Sequence, residues 1–204
     1  ICLSQKILNA LPSGGADIIE IGMPFSDPMA DGPAIQQSSL RALSNGQDMK
    51  RTLSMVKEFR IQNDHTPIIL MGYYNPILQF GTENFLKECT LMEIDGLIVV
   101  DLPIEHGQEL SIPAKKAGID FINFITPTTS SERLQSIIKV SSGFLYYVSI
   151  AGITGTKAPE IKELEDMVNK IKKYTDIPIG VGFGIKDSDQ VTNISKFSDA
   201  VVIG

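Results

Sequence analysis

Cysteine is scarce: the 204 residues contain only Cys2 and Cys89. Their spacing offers no zinc motif, and so few thiols suit a reducing compartment. Basic residues are in the minority, with 18 Lys and Arg against 24 Asp and Glu, for a net charge of −6. That balance argues against non-specific nucleic-acid binding, which needs a basic face. No apolar run approaches the ~20 residues of a membrane span. The opening ICLSQKILNAL lacks the charge order and apolar length of a signal peptide, so a cytoplasmic location is expected. No G-x-G-x-x-G follows the first strand pattern, which argues against a dinucleotide fold.

What is present is a core-forming pattern. Hydrophobic residues make up 43% and charged residues 21%, the balance of a folded chain rather than a disordered one. Seven apolar segments read as strands: 16–22, 67–72, 96–100, 119–125, 143–149, 177–183 and 199–203. Helical periodicity covers 3–11, 34–44, 48–62, 82–92, 104–117, 130–140, about 160–174 and 188–197. Asp48 reads as an N-cap, and Thr129 to Glu132 and Asp187 to Gln190 read as capping boxes. Pro113 is expected to kink or break the 104–117 helix. Continuously apolar strands separated by helices mean a parallel sheet covered on both faces. A doubly wound sheet and an eight-fold barrel both fit that description. The opening helix has no strand before it, and supplying one makes eight. The expectation is therefore an α/β protein, a single (β/α)8 TIM-barrel domain over 1–204, with the first strand and the last helix absent from this chain.

In such a barrel, chemistry collects at the carboxyl ends of the strands. Glu20 lies inside the first strand pattern, on the face opposite Ile19 and Ile21. An unpaired carboxylate there has a raised pKa suited to proton transfer; a buried ion pair is the alternative. None of the strand segments contains Lys or Arg. Eleven residues on, Asp31 offers a second carboxylate, with a turn or N-cap role as its alternative. Gly182, Gly184 and Gly204 lie at neighbouring strand ends where a phosphate could approach bare backbone N–H groups. Met71, Tyr73, Ile98, Val100 and Phe183 could line a dry pocket for an aromatic moiety, or could be plain core. No strand lysine is available for Schiff-base chemistry. His65 precedes a strand and His106 sits early in a helix, so no metal site is expected. Carboxylate acid–base chemistry on a phosphorylated small molecule remains.

The segments E-I-G-M-P-F-S-D-P-M-A-D-G-P-A-I-Q at 20–36, M-G-Y-Y-N-P at 71–76, D-G-L-I-V-V-D-L-P at 95–103, Y-Y-V-S-I-A-G-I-T-G at 146–155 and V-G-F-G-I at 181–185 occur in a fixed order. Together they resemble the tryptophan synthase alpha subunit family. The resemblance implies a barrel lyase of tryptophan biosynthesis that cleaves indole-3-glycerol phosphate to indole and glyceraldehyde 3-phosphate. It places the catalytic residues at Glu20, Asp31 and Tyr146. The indole pocket falls on Tyr73, Ile98, Val100 and Phe183, with Thr154 beside the aspartate and the phosphate on Gly184 and Gly204. It implies no cofactor in this subunit. Its partner would be a pyridoxal-phosphate beta subunit in an alpha2-beta2 complex, docked on Asp27, Pro28, Tyr74, Asn75 and Pro76. At Ile150 the chain departs from the family, where many members carry Arg. The alternatives are another phosphosugar barrel enzyme, an isomerase or epimerase, or a non-catalytic barrel that activates a partner.

Overall fold

A computed structural model describes residues 3–148, 161–182, 184, 185 and 187–204. The chain forms two compact units, Ile1–Phe121 and Ile122–Gly204.

The first unit opens with helix α1 (Leu3–Ala10) and strand β1 (Ile19–Gly22). Helices α2 (Pro33–Ser44) and α3 (Met49–Arg60) lead to β2 (Ile68–Gly72). Asp48 caps α3 as expected, its carboxylate accepting the Arg51 N–H at 2.8 Å. After β2 come α4 (Tyr74–Phe80), α5 (Thr82–Leu91) and β3 (Gly96–Val99). A 3-10 helix (Ile104–Glu109), α6 (Ser111–Lys116) and β4 (Asp120–Phe121) complete the unit. The second unit contains β5 (Asn123–Ile125), α7 (Ser131–Val140), β6 (Leu145–Val148), α8 (Ile161–Lys172), β7 (Ile179–Gly182), α9 (Ser188–Ile194) and β8 (Ala200–Val202).

Each unit holds one four-stranded sheet, ordered β1-β2-β3-β4 and β5-β6-β7-β8, with every pairing parallel. Spatial order follows chain order throughout. A doubly wound sheet reverses its order at a switch point, so this topology excludes the open alternative within each unit.

Strand alternation divides the first sheet into two faces. Ile19, Ile68, Leu70, Leu97, Val99 and Phe121 pack with Leu53, Val56, Phe59 and Phe85 from the helices. Glu20, Ile69 and Ile98 lie on the other face, by strict alternation along registered neighbours. In the second unit Leu145, Tyr147, Ile179 and Val181 are buried, as are Leu164, Val168 and Ile171 of α8 at helical spacing.

Several elements differ from the sequence expectation. The 119–125 segment is not one strand. It divides at Ile122, its first half pairing with β3 and its second with β6. The 104–117 helix breaks at Leu110 rather than at Pro113. Pro113 is the third residue of α6, where a missing N–H leaves no intrahelical bond unmade. The cap of α7 is Ser130, which accepts the Arg133 N–H at 3.2 Å, one residue later than the expected box. The cap at Asp187 stands, accepting from Gln190 at 2.8 Å. Residues 74–76, where no helix is expected from the sequence, form the first turn of α4, with Pro76 tolerated at its third position.

Candidate active site

The first unit carries both carboxylates. Glu20 is half-buried in β1, beside Ile69 of β2. No described residue forms an ion pair or hydrogen bond with its carboxylate, so the ion-pair alternative has no support among the described residues. Burial alone pushes its pKa from 4.5 up to about 7. A carboxyl so placed can give and take a proton near neutrality.

Asp31 lies in the loop that leaves β1. The loop is held against β2 at its start: Met23 donates its N–H to the Met71 carbonyl at 2.8 Å. Gly72 permits this approach, since a Cβ there would meet the Met23 side chain at 2.9 Å. Further on, the Asp31 N–H closes a turn on the Pro28 carbonyl at 3.0 Å, and Gln36 donates to the Asp31 carbonyl at 2.9 Å. The carboxylate of Asp31 does not cap α2. The N-cap there is Gly32, without a side-chain bond, and Pro33 opens the helix. Instead Asp31 accepts the Tyr73 hydroxyl at 3.0 Å, while that hydroxyl accepts the Ala30 N–H at 2.9 Å. Tyr73 is 3% exposed and stacks at 5.5 Å from Phe25. Burial, more than any other influence, lifts its pKa to about 12, so it remains a donor.

Sequence reasoning placed Tyr73 among apolar lining residues and missed this bond. The signal was faint: a tyrosine hydroxyl at a strand end needs a partner when buried. Ile98 is fully buried on the same face as Glu20, and Val100 follows β3 by one residue with partial exposure. Asp27, exposed, accepts the Ser26 hydroxyl; Asn75 is exposed, and Pro28, Tyr74 and Pro76 are partly exposed.

The second unit carries aromatics over glycines. Tyr146 of β6 lies between Phe124 and Phe144, with ring centres at 5.2 and 6.2 Å. Gly180 and Gly182 of β7 make room for these rings. A Cβ on Gly180 would meet Phe144 at 3.2 Å, and one on Gly182 would meet the Tyr146 hydroxyl at 2.7 Å. Gly182 is thus occupied by an aromatic neighbour, a role its G-x-G pattern did not announce. Gly184 has φ +74, a left-handed conformation suited to glycine, and open space where a side chain would stand. Gly204 is exposed, with open space as well. Thr154, Ile150 and Phe183 lie outside the described residues. Among the described residues no helix is long and apolar enough to cross a membrane.

A family model described as tryptophan synthase alpha chain matches residues 2–204. The chain belongs to the tryptophan synthase alpha chain family. Solved structures agree. The alpha subunit from Legionella pneumophila str. Paris is 39% identical with a TM-score of 0.91, over 99% of this chain and 74% of its own. A chain of the tryptophan synthase a2b2 complex from Pyrococcus furiosus is 38% identical with a TM-score of 0.88, over 98% of this chain and 82% of its own. A protein from Aquifex aeolicus VF5 is 35% identical with a TM-score of 0.89, over 98% and 76%. The fold class of the tryptophan synthase alpha family is the TIM barrel, and the singly wound parallel sheets have its topology. Its activity is that of a lyase that cleaves indole-3-glycerol phosphate in tryptophan biosynthesis.

Proposed function

We propose that the chain performs this lyase reaction with Glu20 and Asp31 as its proton-handling pair. Asp31 holds the indole N–H and stabilises the cation formed when C3 is protonated. Glu20 takes the proton from the glycerol hydroxyl next to the ring and serves protonation at C3. As that hydroxyl becomes an aldehyde, the bond to C3 breaks and its electron pair returns to the ring. The products are indole and glyceraldehyde 3-phosphate, and no external oxidant or reductant is needed. The observation that carries this reading is Glu20 half-buried in β1 without a partner among the described residues, with its pKa pushed up to about 7.

Tyr146 is read as the third active-site residue. Tyr73, Ile98, Val100, Thr154 and Phe183 are read as substrate-binding residues, and Gly184 and Gly204 as those that take the phosphate. Residues 1–204 are taken as one domain acting in the cytoplasm. A pyridoxal-phosphate beta subunit receives the indole, docking on Asp27, Pro28, Tyr74, Asn75 and Pro76. The supporting relative is the Pyrococcus furiosus a2b2 complex.

Indole release from indole-3-glycerol phosphate, measured with and without a beta subunit, tests the reading. Turnover by the chain alone, raised by the partner, is the expected result. Turnover of other phosphosugars only, or none in either condition, would contradict it.

A further inference from the structure

Asp101 stands two residues beyond β3, outside the proposed catalytic pair, yet it holds the element that orients Asp31. Its Oδ1 accepts the backbone N–H of Tyr74 at 2.7 Å. Tyr74 is the first residue of α4, and that N–H is one a helix cannot satisfy internally. The N-cap residue, Tyr73, is extended at φ −113 and ψ 154 and makes no side-chain cap bond of its own. Its side chain is committed elsewhere, to Ala30 and Asp31. The cap of α4 is therefore supplied from the turn that follows β3. Val100 donates its N–H to the Gly72 carbonyl at 2.9 Å, carrying the β2–β3 pairing up to the two residues that meet. The Tyr74 hydroxyl adds a second tie, donating to Glu109 at 3.0 Å.

We propose that Asp101 is a positioning residue for the lyase reaction: by fixing the Tyr74 N–H it sets the Tyr73 hydroxyl, which in turn orients the Asp31 carboxylate. The proposal rests on the catalytic reading of Asp31. The negative charge of Asp101 also helps keep the Tyr73 proton in place, after the larger effects of burial and Asp31. The hydroxyl then stays a donor to Asp31 across the working pH range. Small displacements of a catalytic group cost up to about 100-fold in rate.

Asp101→Ala is expected to lower kcat for indole-3-glycerol phosphate roughly 10- to 100-fold with KM changed less than about threefold. Asp101→Asn, which keeps an acceptor oxygen, is expected to stay within about threefold of wild type. Asp48→Ala removes a comparable cap from α3 and serves as the control; it lowers Tm without lowering kcat. Tyr73→Phe combined with Asp101→Ala is expected to be no slower than Tyr73→Phe alone, because both act through one hydroxyl. If Asp101→Ala behaves like Asp48→Ala, or the double variant shows multiplied losses, the positioning role is wrong. If Asp31→Asn keeps wild-type turnover, the catalytic reading of Asp31 fails and the proposal with it. Loss in Asp31→Asn beside an unaffected Asp101→Ala overturns the positioning role only.

Discussion

The two units use the same device to tie adjacent strands, with different strength. In the first, Asp95 precedes β3 and accepts the N–H of Ile68, the opening residue of β2, at 2.7 Å; Arg60, the last residue of α3, pairs with it at 2.8 Å. In the second, Asp199 precedes β8 and accepts the N–H of Ile179, which opens β7, at 2.9 Å; Lys172, the last residue of α8, pairs with it at 3.0 Å. Backbone bonds repeat the match, Asp95 N–H to Ile68 carbonyl at 2.9 Å and Asp199 N–H to Ile179 carbonyl at 3.0 Å. The cations differ. The Arg60 side chain is 8% exposed and its fork also reaches the carbonyls of Asn63, Thr66 and Glu93. The Lys172 side chain is 38% exposed and makes one bond among the described residues. A planar five-donor group can satisfy a cluster of carbonyls that an ammonium cannot. The tighter tie belongs to the unit that carries the two proposed catalytic carboxylates, the looser one to the unit of aromatic rings and glycines.

This contrast can be broken from either side. The largest effect is expected from Glu20→Gln, which keeps shape but cannot carry a proton: turnover should fall by about 10²–10⁴-fold in a single-turnover indole assay. The same variant should gain stability in a defined pH window. The folded state binds the Glu20 proton more tightly than the unfolded chain does. The penalty for ionising it is therefore absent below 4.5, builds as pH rises to about 7, and is constant above. Calorimetry should show Glu20→Gln unchanged at pH 4 and stabilised at pH 8, by up to about 3 kcal/mol.

Next comes Arg60→Ala, expected to cost about 2–4 kcal/mol by chemical denaturation because it removes the shared donor of three carbonyls and leaves the Asp95 carboxylate with only the Ile68 N–H among the described residues. Gly182→Ala should cost about 1–3 kcal/mol by forcing the Tyr146 ring aside. If Tyr146 is catalytic as proposed, kcat should fall more than KM rises. The smallest effect is expected from Lys172→Ala, under about 1 kcal/mol, as for exposed pairs generally. Burial pushes the Asp199 carboxyl up, but the Ile179 N–H and Lys172 outweigh it and hold its pKa below 3.8. Its share of stability is thus present above the unfolded pKa and is lost as pH falls through the folded one. Equal losses from Arg60→Ala and Lys172→Ala would erase the distinction between the two ties.

Much of this was legible in the sequence because strand and helix periods are strong signals. Apolar runs gave the parallel strands, and Asp48 and Asp187 announced their helices. Glu20 stood out since a lone carboxylate between isoleucines has no structural excuse without a cation. Other features left no local trace. Tyr74-Asn75-Pro76 reads as turn chemistry, yet Pro at a third helical position is harmless, so α4 was hidden. The division at Ile122 depends on which neighbours the two half-strands find, a property of pairing and not of composition. Asp95 and Asp101 look like ordinary loop acids beside strands, and Asp199 reads as the first residue of the 199–203 strand although β8 starts at Ala200. Their partners are backbone N–H groups 20 to 27 residues away, which no sequence pattern marks.

The central claim is that Glu20, without a charged partner among the described residues, exchanges a proton near neutrality. The most direct measurement is its own titration, by carbon-13 NMR of labelled glutamate side chains, with the signal assigned by its loss in Glu20→Gln. A midpoint at about 7 is the predicted result. A midpoint at the ordinary value near 4.5 would show a solvated or paired carboxylate and contradict the account.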